Sequence, residues 1–526
     1  MSKFINPYNF VPLPGTVPRQ PVETTPGWAS LSPGGHSGYL QVAIITLTRL
    51  FIPSRIPADL DFDVTNDKHK EKNHPVYKKF IYDLSRQTKL IPGTSVKGPV
   101  RAVMEALSDS CLGLFGGKYK KDRKDKKRQL DYSNKAPSEI IPGRCRLRAA
   151  AGGPVTDPAD GLCVCCRLFG IVAGGGAEPE PGDYTALQGR LSFEDFFLAD
   201  TSREKISTTS ITLPELSDPK PWHASFYLDG SGNIRGRKFY LHHEPVGLHT
   251  RTKTKRNCTI RESIRPGACF SGRIRFTNLT APELGLLLWG LELDDLPPFA
   301  TDGTRTPDLR AHKLGMGKPL GLGSVKIQVT GLALVKAEQR YAAFSWPQEG
   351  QATLETPLEG KGLRQEVQKF KARWAKDAFQ DHEPLRTLLT FPGSRANAIH
   401  YPNNDWFRDC GHIELPRDGV LTDPCPPSGL DTSMVPPELD EPPLKAKTGA
   451  AAKIKKAKQA KADLKELIVP VMEITTQGVR VEVEGQSLIV AGISPYLGVK
   501  PQDRIKIRLI PRPDGRLKAA FKGIVS

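Results

Sequence analysis

Short apolar runs and helical repeats divide the chain into recognisable elements. Tyr39-Leu-Gln-Val-Ala-Ile-Ile-Thr-Leu47 is rich in β-branched residues and predicts a first strand. After Ile91-Pro-Gly-Thr-Ser, the residues Val96, Val100, Val103, Met104 and Leu107 recur at helical spacing, so a helix opens there with Thr94 or Ser95 available as its cap. Gly189 to Phe197 and Cys269 to Phe276 predict two further strands. Pro282, at a helix start, leads into the apolar run Leu284 to Leu291, and Ser324 to Val329 predicts a last strand. The order β-α-β-β-α-β predicts an α+β, ferredoxin-like fold with long insertions.

The remaining segments are read from composition. Residues 1–35 are rich in Pro and Gly and predict an extended arm. Phe51 to Lys89 is polar, carries three prolines, and is long for a loop. Residues 203–262, with the turn Asp229-Gly-Ser-Gly232, predict a protruding hairpin. Residues 336–423 match no fold that the pattern identifies. Residues 424–467 form a Pro-rich and then Ala/Lys-rich linker, either a basic helix or a disordered arm. Over 468–526, four short β patterns and the turn Pro513-Asp-Gly515 predict a small β-barrel-like domain.

Composition narrows the class. At 38% hydrophobic residues, the 526-residue chain can bury a core. No apolar run approaches the roughly 18–20 residues of a membrane span, and the N-terminus shows no apolar signal region; both point to a cytoplasmic protein. Lys and Arg number 75 against 57 Asp and Glu, a net charge of +18 that calls for a polyanionic partner, nucleic acid before membrane. No small-molecule substrate is expected.

Cysteine spacing suggests a metal. Cys163-x-x-Cys166 places two thiolates in knuckle geometry for tetrahedral Zn²⁺, and Cys145 supplies a third. Cys111 is the expected fourth ligand within a knuckle region over 111–170, with His69 or His74 as alternatives, and Cys165 could replace Cys166. The run Gly315-Met-Gly-Lys-Pro-Leu-Gly-Leu-Gly323 is neither a dinucleotide loop, since a strand follows it, nor a P-loop, since Pro319 follows Lys318. It reads as a loop with exposed backbone N–H groups and one lysine that can cradle a phosphate.

Five segments taken together resemble the RAMP superfamily of CRISPR systems, and more closely the backbone subunits of type III RNA-guided effectors. They are Ile91-Pro-Gly-Thr-Ser-Val-Lys-Gly98 with Arg101, Cys163-Val-Cys-Cys-Arg-Leu-Phe-Gly170, Gly189-Arg-Leu-Ser-Phe-Glu-Asp195, Gly236-Arg-Lys-Phe-Tyr-Leu-His-His243 and the glycine run at 315–323. Asn6-Pro-Tyr-Asn-Phe-Val-Pro-Leu13 resembles a longer RAMP subfamily. The resemblance covers residues 36–335 and implies a ferredoxin-like (RRM-like) RAMP domain there, with 203–262 as a thumb.

It implies antiviral RNA-guided function, with crRNA, complementary target RNA and other effector subunits as partners. Carried over, Ser95, Lys97, Arg101 and Lys318 contact guide phosphates, although Ser95 can equally be a helix cap. Gly93, Gly98, Gly317, Gly321 and Gly323 let backbones approach, and Arg251, Lys253, Lys255 and Arg256 lie near the thumb base. An aspartate in the loop after the first strand supports metal-dependent RNA cleavage in active members. Here that loop offers Asp61 and Asp63, then Asp67 and Asp59, as endoribonuclease ligands of Mg²⁺ or Mn²⁺. Leu50-Phe-Ile-Pro53 departs from the usual family sequence beside that position. Two other functions remain in view: a metal-independent guide-processing nuclease using His242 or His243, and a non-catalytic adaptor subunit docking through the carboxy-terminal extension.

Overall fold

Residues 3–21, 34–54, 76–112, 145, 161–172, 186–214, 224–228, 234–245, 257–335, 357–391, 399, 420–422, 466–475, 478–483, 486–490, 504–511 and 517–525 are described by the structure, a computed structural model. Along the chain they form β1 (Lys3–Ile5), β2 (Tyr8–Pro12), β3 (His36–Thr46), β4 (Val76–Lys78), β5 (Tyr82–Asp83), β6 (Thr88–Ile91) and α1 (Gly93–Leu107). There follow α2 (Val164–Phe169), β7 (Gly170–Val172), β8 (Ala186–Gln188), β9 (Leu191–Phe193), β10 (Phe196–Leu198), β11 (Ile206–Ser207), β12 (Ile211–Leu213), α3 (Ala224–Tyr227) and β13 (Gly236–Tyr240). Next come β14 (Cys258–Ile260), β15 (Ser263–Ile264), β16 (Cys269–Leu279), α4 (Ala281–Leu291), β17 (His312–Lys313), β18 (Ser324–Leu334), α5 (Gly360–Trp374), α6 (Glu383–Leu389) and β19 (Val420–Thr422). The last strands are β20 (Glu466–Thr475), β21 (Gly478–Val483), β22 (Gln486–Val490), β23 (Arg504–Pro511) and β24 (Leu517–Val525). The chain separates into two compact units, 1–436 and 437–526.

The first unit is built on an eight-stranded antiparallel sheet ordered β17-β18-β3-β16-β10-β6-β5, with β9 also paired to β16. The two-residue period of β3 buries Leu40, Val42 and Ile44 on one face, where Phe270 and Ile274 of β16 and Ile327 and Val329 of β18 join them. Helices α1 and α4 belong to the same core through Val96, Val100, Met104, Leu284, Leu287 and Leu288. Each such side chain contributes roughly 1.5–3 kcal/mol by leaving water. The helices meet so closely at Gly290 that a Cβ there would lie 2.4 Å from Met104 Cγ.

Helix starts depend on different partners. Helix α4 carries a capping box: Thr280 Oγ1 accepts from Glu283 N at 3.3 Å, and Glu283 Oε2 accepts from Thr280 N at 3.0 Å. The same buried Glu283 carboxylate accepts from Arg190 at 2.6 Å and Arg167 at 3.3 Å. Burial alone would raise its pKa, but the hydrogen bond and charge of Arg190, with the Thr280 N–H and the charge of Arg167, together outweigh that and hold it below the usual range. Helix α1 has no local cap. Its N-cap is Pro92, so Thr94 and Ser95 lie inside the helix rather than before it. The first N–H, on Gly93, is taken by Asp195 Oδ1 at 2.9 Å. Asp195 sits at the break that divides the strand expected over 189–197 into β9 and β10.

Three segments differ from their sequence expectation. The arm over 1–35 holds two strands, with β1 paired to β19 and β2 to β13. Tyr8 and Val11 are 4% and 5% exposed, one on each face of β2, so the strand shows no two-residue alternation that its sequence could have announced. The 203–262 insertion leaves the sheet through β11 and β12 and returns through β14 and β15, in antiparallel pairs. Its middle does not simply project, because β13 folds back onto β2. Residues 336–423 include α5, which packs on α4: a Cβ at Gly285 would lie 2.2 Å from Phe370 O, and Trp289 Nε1 donates to Lys371 O at 3.2 Å.

The second unit is a five-stranded antiparallel sheet, ordered β22-β21-β20-β23-β24. No helix among the described residues is long and apolar enough to cross a membrane.

Candidate nucleic-acid interface and cysteine centre

Helix α1 carries two cations on the flank of its buried face. Lys97 and Arg101 are half-buried, one turn apart, and both lie over the ring of Phe169, at 5.8 and 5.6 Å from its centroid. Burial, then the charge on Arg101, lowers the pKa of Lys97. Gly98 is exposed, and a Cβ there would meet nothing within 4 Å. Ser95 is half-buried in the first turn, its N–H donating to Pro92 O at 2.8 Å.

The glycine loop is built differently from its sequence reading. Gly315, Gly317, Gly321 and Gly323 all have φ between 71° and 86°. A Cβ at Gly321 would lie 2.6 Å from Glu244 O, and one at Gly323 would lie 1.9 Å from Leu314 O. These glycines are therefore required by packing within the chain. Five of the backbone N–H groups are likewise engaged. Met316 N donates to Phe51 O, Leu320 N and Leu322 N to Gly317 O, Gly321 N to Lys318 O, and Gly323 N to Arg49 O, all between 2.9 and 3.3 Å. The donors of Met316 and of residues 320–323 are therefore spent on the chain's own fold. The loop is a rigid turn that carries Lys318, with residues 318–320 as one 3-10 turn.

Lys318 does not stand alone. Lys313 of β17 is 7% exposed and donates to Leu322 O at 3.1 Å inside the same turn. Burial, then the charge on Lys318, pushes its pKa down to about 7. Lys238 of β13 is exposed, with its Nζ 3.7 Å from the Tyr8 ring centroid and 4.7 Å from that of Tyr240. Desolvation against this surface, then Lys318, pushes Lys238 down to about 8. Among the described residues neither Lys238 nor Lys318 is paired with a carboxylate. Glu244, whose charge reaches Lys313, is held by Arg305. Sequence reasoning missed Lys238 and Lys313. Lys238 lies inside the motif quoted over 236–243 and Lys313 just before the glycine run, but neither stands out until strand pairing places it.

Cys111, Cys145, Cys163 and Cys166 converge, all four buried, with every Sγ within 4.8 Å of the others. Cys111 Sγ is 3.5 Å from Cys166 Sγ and 3.8 Å from Cys163 Sγ. Four sulfurs around tetrahedral zinc at ~2.3 Å would be ~3.8 Å apart. Cys163 caps α2, and its N–H donates to Cys145 Sγ at 3.2 Å, while Arg19 Nε donates to the same sulfur at 3.4 Å. These donors suit a sulfur that carries negative charge. Cys165 points away, 3.6 Å from Ser108 Oγ, so Cys166 is the second member of the knuckle. His69 and His74 lie outside the described residues, as do Asp59, Asp61, Asp63, Asp67, Arg251, Lys253, Lys255 and Arg256.

The cysteine centre and the cationic surface share one buried connection. Arg237 of β13 donates from Nη1 to Glu105 Oε2 at 2.9 Å and from Nη2 to Cys111 O at 3.1 Å. Glu105 Oε1 accepts from Arg101 Nε at 2.7 Å. Alternation along β13 therefore sends Arg237 inward to α1 and the cysteines, and the next residue, Lys238, outward beside Lys318.

A family model described as the RAMP superfamily matches residues 43–326, more than half of the chain. The chain belongs to the RAMP superfamily, the CRISPR-associated group its motifs resemble. No curated protein matches it. Among solved structures, the crystal structure of Thermofilum pendens Csc2 is 13% identical, covers 67% of this chain and 86% of its own, and has a TM-score of 0.25, too slight a likeness to carry an inference.

The buried lysine yields a test. An unfolded lysine titrates near ~10.4 and folded Lys313 at about 7. Between those values the unfolded chain holds a proton that the folded chain lacks, so stability rises with pH across that window, by on the order of 1.4 kcal/mol per pH unit for this one group. Lys313→Met should raise the denaturation midpoint at pH 7 and flatten its rise toward pH 10. An unaltered pH profile would show that burial does not lower the pKa of Lys313.

Proposed function

We propose that this protein binds guide crRNA as a backbone subunit of a type III CRISPR effector complex, alongside other effector subunits and opposite a complementary target RNA. The observations that support this reading are Lys97 and Arg101 side by side over Phe169, and Lys238 within reach of the charge on Lys318, with no carboxylate paired to either of those two lysines among the described residues. Like charges brought together repel unless an anion joins them, and an RNA backbone supplies one at each nucleotide. Such contacts position RNA, and base pairing supplies the sequence specificity. On this reading the central sheet with α1 and α4 is the ferredoxin-like palm. The insertion between β11 and β15 is the thumb, and the second unit closes as a small barrel that serves assembly. The guide-processing alternative lacks its base in His242 and His243, which are 0% and 1% exposed.

Filter binding of guide RNA across a salt series tests this. Lys97→Ala, Arg101→Ala and Lys318→Ala should each weaken binding for any guide sequence. Each should also make the log–log salt slope shallower by about 0.7, the share of one phosphate on a single strand. Three variants that bind like wild type at raised salt would remove the proposal.

The four converging cysteines fit Zn²⁺, which would supply folding energy rather than chemistry. Metal analysis of protein purified without a metal-affinity step should find one zinc per chain, and Cys163→Ser should lose it and melt earlier. Near-zero zinc in soluble wild-type protein would contradict the assignment. For cleavage, Asp61, Asp63, Asp67 and Asp59 remain the candidate Mg²⁺ or Mn²⁺ ligands. Target RNA incubated with the assembled complex should be cut with Mg²⁺ and not with EDTA, and Asp→Ala at the working position should erase one cut. If all four alanine variants keep every cut, these acids are not the ligands.

A further inference from the structure

The two-stranded ribbon β2–β13 leads directly into Glu244 and Pro245, which pack on the glycine loop at Gly321, and it carries more than its lysine. Pairing places Phe10 opposite Lys238 and Tyr8 opposite Tyr240. Directly paired residues share a face, so these four lie on one side, while Val11, Arg237 and Phe239 turn to the interior. On that side the rings of Tyr8, Phe10, Phe226, Tyr227 and Tyr240 form a contiguous cluster, with neighbouring centroids 5.3 to 6.2 Å apart in edge contacts; Tyr8 and Phe226 are buried at its centre, and Phe10, Tyr227 and Tyr240 are half-buried. Two cations lie over these rings, each on one face of the ring it meets. Lys238 lies over Tyr8 and Tyr240, and Arg235 lies 5.3 Å from the Phe10 centroid and 5.2 Å from that of Phe226. Phe10 and Tyr240 remain half-buried rather than buried, so part of each ring reaches the surface.

This composition departs from both ordinary alternatives. A core ribbon would bury its rings without an exposed ammonium over them. A solvated ribbon would carry mixed charge, whereas here Lys238 sits beside Lys318 without a carboxylate partner on either among the described residues. Two lysines prepared for one anion, beside partly exposed rings, match the two halves of an unpaired nucleotide: a phosphate and a flat base.

We propose that the β2–β13 ribbon is a nucleotide subsite for single-stranded RNA. Lys238 and Lys318 share one phosphodiester, and the flanking base stacks on the exposed part of Tyr240 and Phe10. The subsite rests on the guide-binding reading above and extends it to the amino-terminal strand.

The test uses the full chain with two probes, a ten-nucleotide oligouridylate and an RNA backbone of the same length whose central positions lack bases. Lys238→Ala should weaken both probes and make the salt slope shallower by about 0.7. Tyr240→Leu should weaken the oligouridylate about fivefold or more, the effect expected for one lost stack, and leave the abasic probe unchanged. Tyr240→Phe, which keeps the ring, should bind like wild type and guards against a folding artefact. If Lys238→Ala and Tyr240→Leu bind both probes like wild type while Lys97→Ala and Lys318→Ala do not, the subsite is wrong and the guide-binding reading stands. If wild-type protein binds neither probe, both fail. Equal weakening of both probes by Tyr240→Leu would overturn base stacking.

Discussion

The buried pair between Arg237 and Glu105 is the interaction on which the rest of this surface depends. It joins a strand to a helix 132 residues away in sequence, with the two side chains 5% and 8% exposed. A guanidinium and a carboxylate so placed are stable only with their remaining hydrogen bonds satisfied. Glu105 meets that condition through Arg101, and Arg237 through the carbonyls of Ser110 and Cys111. Removing one partner strands a buried charge, a loss of about 3–5 kcal/mol. The pair therefore fixes β13 against α1, and with it the outward residue Lys238 beside the glycine loop.

Seen from that pair, the cysteine centre is more than a local staple. Cys111 follows α1 closely in sequence, and its carbonyl is bound by Arg237. Cys166 lies in α2, whose last residue, Phe169, lies under Lys97 and Arg101. Four sulfurs held at fixed spacing would hold both ends of α1's cationic face in place. The proposed metal site and the proposed RNA-binding surface would in this way be set by the same few residues, although the metal itself would touch no RNA.

Much of this was legible beforehand, for physical reasons. Local periodicity identifies β3, α1 and α4 because their apolar residues repeat with the period of the element that buries them. The cysteines could be grouped because ligand chemistry restricts their spacing, and geometry then decided between Cys165 and Cys166. What stayed hidden is what depends on pairing between distant segments. Thr94 and Ser95 look like caps, yet the helix takes Asp195 from the neighbouring strand. The glycines at 315–323 look like a phosphate cradle, yet the missing Cβ atoms of Gly315, Gly321 and Gly323 make room for Phe51, Glu244 and Leu314, and the N–H groups of Gly321 and Gly323 bond Lys318 and Arg49. Lys238 and Lys313 carry no signal of their own, since one lysine in a strand resembles any other until the partner strand is known.

The central claim is that α1, β13 and the glycine loop form one RNA-binding surface. Ultraviolet crosslinking of guide RNA to the full chain, followed by mass spectrometry of the attached peptides, reads it most directly. The account predicts crosslinks within 93–107, 236–244 and 312–323 together, all lost when unlabelled RNA competes. Crosslinks confined to other segments, with these three silent, would contradict it.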